Sequence, residues 1–108
     1  MYKIVVTYTF SDNDTRASFE DLMSELGFDE GEDQSTYVLR SSSELTHLSL
    51  ERQIKQWSKD DDLIASEGDF VRIYYASYRK SLKEGIIKPY IGTSLLKYDE
   101  NTDGLVVL

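Results

Sequence analysis

Apolar and polar positions alternate with period two near the start of the chain. Tyr2, Ile4, Val6, Tyr8 and Phe10 fall on one side of a strand, with Lys3, Val5, Thr7 and Thr9 on the other. The first set is the more apolar and is the expected core face. Ser11-Asp12-Asn13-Asp14 then breaks the strand and offers helix caps. Phe19, Leu22, Met23 and Leu26 recur at helical spacing, and Gly27 suits the residue just past a helix end. Residues 28–34 are too acidic for a central strand and are expected to hold a short edge strand and a turn. Residues 35–41 alternate again, with Tyr37 and Leu39 inward and Thr36, Val38 and Arg40 outward. Thr46 is a good N-cap for a second helix, and Leu45 and Leu50 have the spacing of a hydrophobic staple. Leu50, Ile54 and Trp57 form its apolar stripe. The run Asp60-Asp61-Asp62 would oppose the helix dipole, so the helix should stop near Lys59.

Residues 69–78 are the clearest strand. Val71, Ile73 and Tyr75 share one face, and Phe70, Arg72, Tyr74, Ala76 and Tyr78 the other. Past Tyr78 the pattern weakens. Arg79–Glu84 suits a helical turn, and Pro89 argues against a central strand around it. Residues 93–98 and 104–108 read as two short strands around a turn-rich segment. The order is strand, helix, weak strand, strand, helix, strand. It predicts an α+β fold, a ferredoxin-like βαββαβ sandwich with both helices on one sheet face. The expected organisation is one domain over 1–108, with a core over 1–78 and a C-terminal β extension over 79–108.

That architecture leaves one sheet face open. Alternation assigns it Lys3, Thr7 and Thr9, then Thr36, Val38 and Arg40, then Phe70, Arg72, Tyr74 and Tyr78. Three cations and three aromatic rings converge there, with no carboxylate among them. Such a face can stack bases and pair phosphates. Aromatic and arginine side chains serve protein interfaces equally well.

Net charge modifies this picture. The chain of 108 residues carries −8, which argues against indiscriminate attraction to phosphate backbones. The charge is uneven: residues 1–78 hold 7 basic and 16 acidic groups, whereas residues 79–97 hold 5 basic and 1 acidic. Arg79 and Lys80 open that basic segment. A candidate surface for nucleic acid or a protein partner therefore comprises Lys3, Arg40, Arg72, Tyr74, Tyr78, Arg79 and Lys80. With 40% hydrophobic residues the composition is globular. No apolar run approaches the ~18 residues of a membrane span. There is no cysteine, and Met1 runs straight into a strand pattern, so a cytoplasmic location is expected.

Catalytic signatures are sparse. His47, the lone histidine, makes no conventional metal cage and is expected as an exposed helix residue. No glycine-rich phosphate loop or nucleophile elbow is present, and no small-molecule cofactor is indicated. Asp12 and Asp14, just past the first strand, could hold Mg²⁺ through one or two carboxylates, or could simply cap the helix. The acidic stretches 29–33 and 60–62 read as solvated loops. The apolar tail (Ile86, Ile87, Leu95, Leu96, Leu105, Val106, Val107) exceeds what a loose extension needs, and an edge strand there could pair with its own sheet or a partner's. A homodimer is expected.

The start MYKIVVTYTFSDND, the segment STYVLRSSSEL and the strand GDFVRIYY resemble the small CRISPR-associated adaptation proteins of the Cas-two type. More loosely, they resemble the ferredoxin-like GhoS antitoxin group. The likeness is one of strand pattern and covers residues 1–76. It implies a ferredoxin-like homodimer and metal-dependent cleavage of nucleic acid. The adaptation family has an aspartate directly after its Val-x-Tyr pattern. Here Val6-Thr7-Tyr8 is followed by Thr9, which cannot supply that carboxylate, and Asp12 lies three residues on. Three readings follow: a non-catalytic dimeric regulator contacting RNA or DNA, a metal-dependent nuclease using Asp12 and Asp14, or a protein-interaction module without nucleic acid.

Overall fold

The computed structural model describes the backbone of residues 2–32, 35–41, 45–60, 63–80, 87–102 and 104–108, with side chains outside positions 2, 38–41, 77–80 and 87–90. Along the chain it runs β1 (Tyr2–Thr9), α1 (Asn13–Glu25), β2 (Asp29–Glu30), β3 (Thr36–Ser41), α2 (His47–Trp57), β4 (Phe70–Lys80), β5 (Ile87–Asp99) and β6 (Gly104–Val107). The strands form one antiparallel sheet in the order β2-β3-β1-β4-β5-β6. The chain is thus an α+β protein whose helices pack on one face of that sheet.

Local chemistry sets the helix ends. Asp12 is the N-cap of α1: its Oδ2 accepts from the Thr15 N–H at 2.9 Å and from the Thr15 hydroxyl at 2.9 Å. The Thr15 hydroxyl in turn accepts from the Ile64 N–H at 2.9 Å, which ties the helix start to the loop before β4. Buried Asp69 fastens the same corner, accepting from the N–H groups of Ser11 (3.1 Å) and Ser66 (3.0 Å). Gly27, at φ 87°, follows α1 in the left-handed conformation that glycine tolerates best. Thr46 caps α2 by accepting from the Ser49 N–H at 3.1 Å, and the helix ends at Trp57, ahead of the aspartate run.

The period-two reading of the strands is correct in register. Ile4, Val6, Tyr8, Phe10, Tyr37, Val71 and Ile73 are buried against Phe19, Met23, Leu50 and Ile54. Leu22, Leu26, Leu45 and Trp57 flank this core half-buried, and the Leu39 side chain lies outside the described residues. The Trp57 indole seats edge-on against Phe10 and Phe19, and its Nε1–H donates to Ser18 at 3.0 Å.

The C-terminal third departs from expectation. Arg79 and Lys80 continue β4 as strand rather than starting a helical turn, and residues 81–86 lie outside the described residues. Of the two expected terminal strands, the second is present as the four-residue β6, whereas the first is far longer than expected: a 13-residue β5 that pairs with β4 from Ile87 to Lys97. Pro89 is accommodated because β5 has no described strand on its outer side at that point: β6 reaches only Leu96–Asp99. Gly92 is accommodated because the Tyr75 ring from the facing strand occupies the space a side chain would fill. Leu96 and Leu105 from this segment complete the core.

β1 runs out opposite Ser77. Beyond it, among the described residues, β4 and β5 pair only with each other, through Tyr78↔Pro89, Arg79↔Lys88 and Lys80↔Ile87. This two-stranded arm contributes to an elongated shape of 50 × 28 × 19 Å. The radius of gyration is 15.0 Å, against about 13 Å for a compact chain of this length.

Candidate nucleic-acid interface

The face opposite the helices is uncovered by any described element. Its register can be read strand by strand. Lys97 on β5 stands opposite Phe70 on β4. One step along, Leu95, Arg72 and Thr7 align across β5, β4 and β1, followed by Thr93, Tyr74 and Val5. The last step sets Ile91 against Ala76, Ala76 against Lys3, and Lys3 against Arg40 of β3. Lys3, Arg72, Tyr74, Ile91, Thr93 and Lys97 are exposed, Tyr74 at 40% and Ile91 at 73%. Lys97, Arg72 and Lys3 thereby form a diagonal across three adjacent strands, with a fourth cation as the pairing partner of Lys3.

Arg72 sits between the two rings. Its Cζ is 5.8 Å from the centroid of Phe70, and its Nη1 is 3.5 Å from the Tyr74 hydroxyl. The first contact is a cation–π arrangement of the exposed kind. The second is at the outer limit of a hydrogen bond. Among the described residues, strand carboxylates reach this face only at its borders. Asp29 lies on the two-residue strand β2, and Asp99 lies at the far end of β5, where it accepts from the Asn101 N–H. Asp14, Asp21 and Glu25 are exposed on α1, which packs against the other face of the sheet, and Asp60 and Glu67 are exposed in the segment between α2 and β4. A net charge of −8 therefore coexists with a basic sheet face.

Of the residues singled out in the sequence, Lys3, Arg72 and Tyr74 are brought together on this face. Arg40 is placed by pairing with Lys3, and Tyr78, Arg79 and Lys80 by pairing along the arm. The side chains of these four lie outside the described residues. Lys97 was not legible as a member, because the face of β5 cannot be assigned until its register with β4 is known. Its alternation (Ile91, Thr93, Leu95, Lys97 against Gly92, Ser94, Leu96, Tyr98) favours neither side clearly.

The candidate metal ligands are separated in role. Asp12 directs Oδ2 into the cap of α1, while Asp14 is exposed in the first turn. Among the described residues no three metal-ligating side chains cluster. His47 is not simply a solvated helix residue: its ring stacks on Tyr75 with centroids 3.7 Å apart and planes 4° from parallel. A cleft of ≈ 440 Å³ beside β2 and β3 is lined by Arg16, Glu20, Glu30, Glu32 and Tyr37 among others. Its polar groups engage one another, with Tyr37 donating to Glu20 at 3.1 Å and Arg16 3.8 Å from the same carboxylate. Burial, reinforced by the Glu20 carboxylate, raises the Tyr37 hydroxyl well above its ordinary pKa, and burial raises Tyr8 likewise. Among the described residues no helix is long and apolar enough to cross a membrane. No family model, curated protein or solved structure matches this chain.

Proposed function

We propose that this chain is a non-catalytic, ferredoxin-like regulator that acts as a homodimer and contacts RNA or DNA through its open sheet face. The observation that carries the reading is the segregation of charge. Three exposed cations lie diagonally across the sheet of an acidic protein, and among the described residues the strand carboxylates Asp29 and Asp99 lie only at the borders of that face. A protein that must avoid indiscriminate phosphate binding yet keep one phosphate-binding surface would distribute its charge in this way. The ferredoxin-like assignment is supported by the order β2-β3-β1-β4, in which α1 and α2 connect strands separated by one antiparallel neighbour. The homodimer is supported by the outer edge of β5, which β6 covers only at Leu96–Asp99. It leaves backbone groups able to pair with a second chain without obstructing the open face.

A non-catalytic role is favoured over a nuclease using Asp12 and Asp14 because the Asp12 carboxylate already serves the helix cap. The test is titration of labelled single-stranded RNA and duplex DNA at several salt concentrations, with and without Mg²⁺. The reading expects binding without cleavage, weakening with salt, and a shallower salt slope for Arg72→Ala. Cleavage abolished by Asp12→Ala would establish the nuclease instead. No binding at low salt would leave a protein-interaction module. Sedimentation at micromolar concentration tests the dimer, and a clean monomer refutes it.

A further inference from the structure

We infer that the ligand of the open sheet face is single-stranded nucleic acid, held by stacking of unpaired bases on Phe70 and Tyr74 with a phosphate at Arg72 between them. This rests on the nucleic-acid reading above and narrows it to one class. Phe70, Arg72 and Tyr74 are alternate residues of β4, so all three project from the same face. Successive same-face positions on a strand are about 6.7 Å apart, which puts the two rings about 13 Å from each other with the guanidinium midway. Arg72 approaches both rings, lying 5.8 Å from the Phe70 centroid and 3.5 Å from the Tyr74 hydroxyl, so the three side chains form one contiguous platform. Lys97 stands opposite Phe70, and Lys3 lies one step beyond Tyr74 on the neighbouring strand. A backbone following Lys97, Arg72 and Lys3 crosses two strand spacings of ~4.8 Å and three steps along the strands, a path of roughly 22 Å.

A duplex does not use this platform. Its bases are stacked on one another and their faces are closed, so rings on a sheet have nothing to stack against, and only the cations contribute. An unpaired strand offers both phosphates and ring faces, and sequence matters little because every base has a π-face. An acidic protein segment would satisfy the cations but leave the aromatic pair without a matching partner. The exposed Tyr74 and half-buried Phe70 flank a cation rather than line an apolar pocket, which favours flat stacking over insertion of an aliphatic side chain.

Fluorescence anisotropy at low salt decides the matter, with oligo-dT and oligo-rU, a DNA duplex of matched charge, and poly-glutamate as probes. The single strands are expected to bind at least about tenfold tighter than the duplex or the polypeptide. Phe70→Ala and Tyr74→Ala should each weaken single-strand binding by about five- to hundredfold, the range one stacked base supplies, while duplex binding and the salt slope stay unchanged. Phe70→Tyr and Tyr74→Phe should retain binding, which separates stacking from loss of fold. Equal affinity for duplex and single strand, or alanine variants that leave the preference intact, would overturn this inference while leaving a nucleic-acid contact standing. Poly-glutamate binding as tightly as the oligonucleotides would overturn it in favour of an acidic protein partner. No binding of any nucleic acid would overturn the parent reading as well.

Discussion

Gly92→Ala is the substitution whose cost the structure determines most closely. Gly92 pairs with Tyr75 across β5 and β4. A Cβ at position 92 would run into the Tyr75 ring, reaching 2.9 Å from its Cε2 and closer still to Cζ and Oη. The ring cannot simply lift away, because His47 stacks on it at 3.7 Å. Overpacking of this kind costs about 1–3 kcal/mol. The loss of glycine's extra freedom in the unfolded chain offsets about 0.5–1 kcal/mol of that. The net expectation is a destabilisation of up to about 2.5 kcal/mol, or a fall in melting temperature of up to roughly 10 °C for a domain of this size. The diagnostic is a double-mutant cycle read by thermal and urea unfolding. In a Tyr75→Ala background the collision is gone, and Gly92→Ala should become neutral or stabilising by up to about 1 kcal/mol. The same cost in both backgrounds would refute the argument, and with it the register between β4 and β5 on which the open face depends.

Three further outcomes test other parts of the molecule. Ile73→Ala empties a fully buried position in the central strand and should cost about 2–5 kcal/mol in urea unfolding; a value below about 1 would mean that Ile73 is not in the core. Asp12→Ala removes the α1 cap and should cost about 0.5–2 kcal/mol, whereas Asp12→Asn or Asp12→Ser should recover most of it. Tyr37 has a folded-state pKa above its ordinary 10.0, so its contribution is complete below pH 10 and is lost as pH rises beyond that toward the folded value. Tyr37→Phe should therefore lose stability less steeply above about pH 10, and an unchanged slope would count against the buried Tyr37–Glu20 contact.

The elements legible in the sequence are those where local pattern and tertiary packing agree. Over residues 3–9 of β1 and 70–74 of β4 the apolar alternation matches burial, and α1 and α2 begin at the caps that Asp12 and Thr46 advertise. β5 was legible only over residues 93–98, because Pro89 reads as a strand breaker and a glycine at 92 gives no alternation to extend the pattern. Each is acceptable only in a context set elsewhere in the chain: an outer edge without a described neighbour for Pro89, and the ring of Tyr75 for Gly92. The candidate surface divides in the same way. Lys3, Arg72 and Tyr74 follow from alternation within single strands, whereas Lys97 joins them only through cross-strand register. The role of His47 was hidden for a related reason, since its partner Tyr75 lies 28 positions away.

Charge placement, rather than total charge, is the central claim, and one comparison isolates it. Arg72→Glu and Arg52→Glu make the same change in net charge, but Arg72 is exposed on the sheet face and Arg52 is exposed on α2. Binding of a short labelled single-stranded RNA is measured for both variants across a range of salt concentrations. The account predicts that Arg72→Glu abolishes measurable binding at moderate salt, while Arg52→Glu stays within about threefold of the unaltered chain and keeps its salt slope. Equal losses for the two variants would contradict it, since the sheet face would then have no role beyond its share of the total charge.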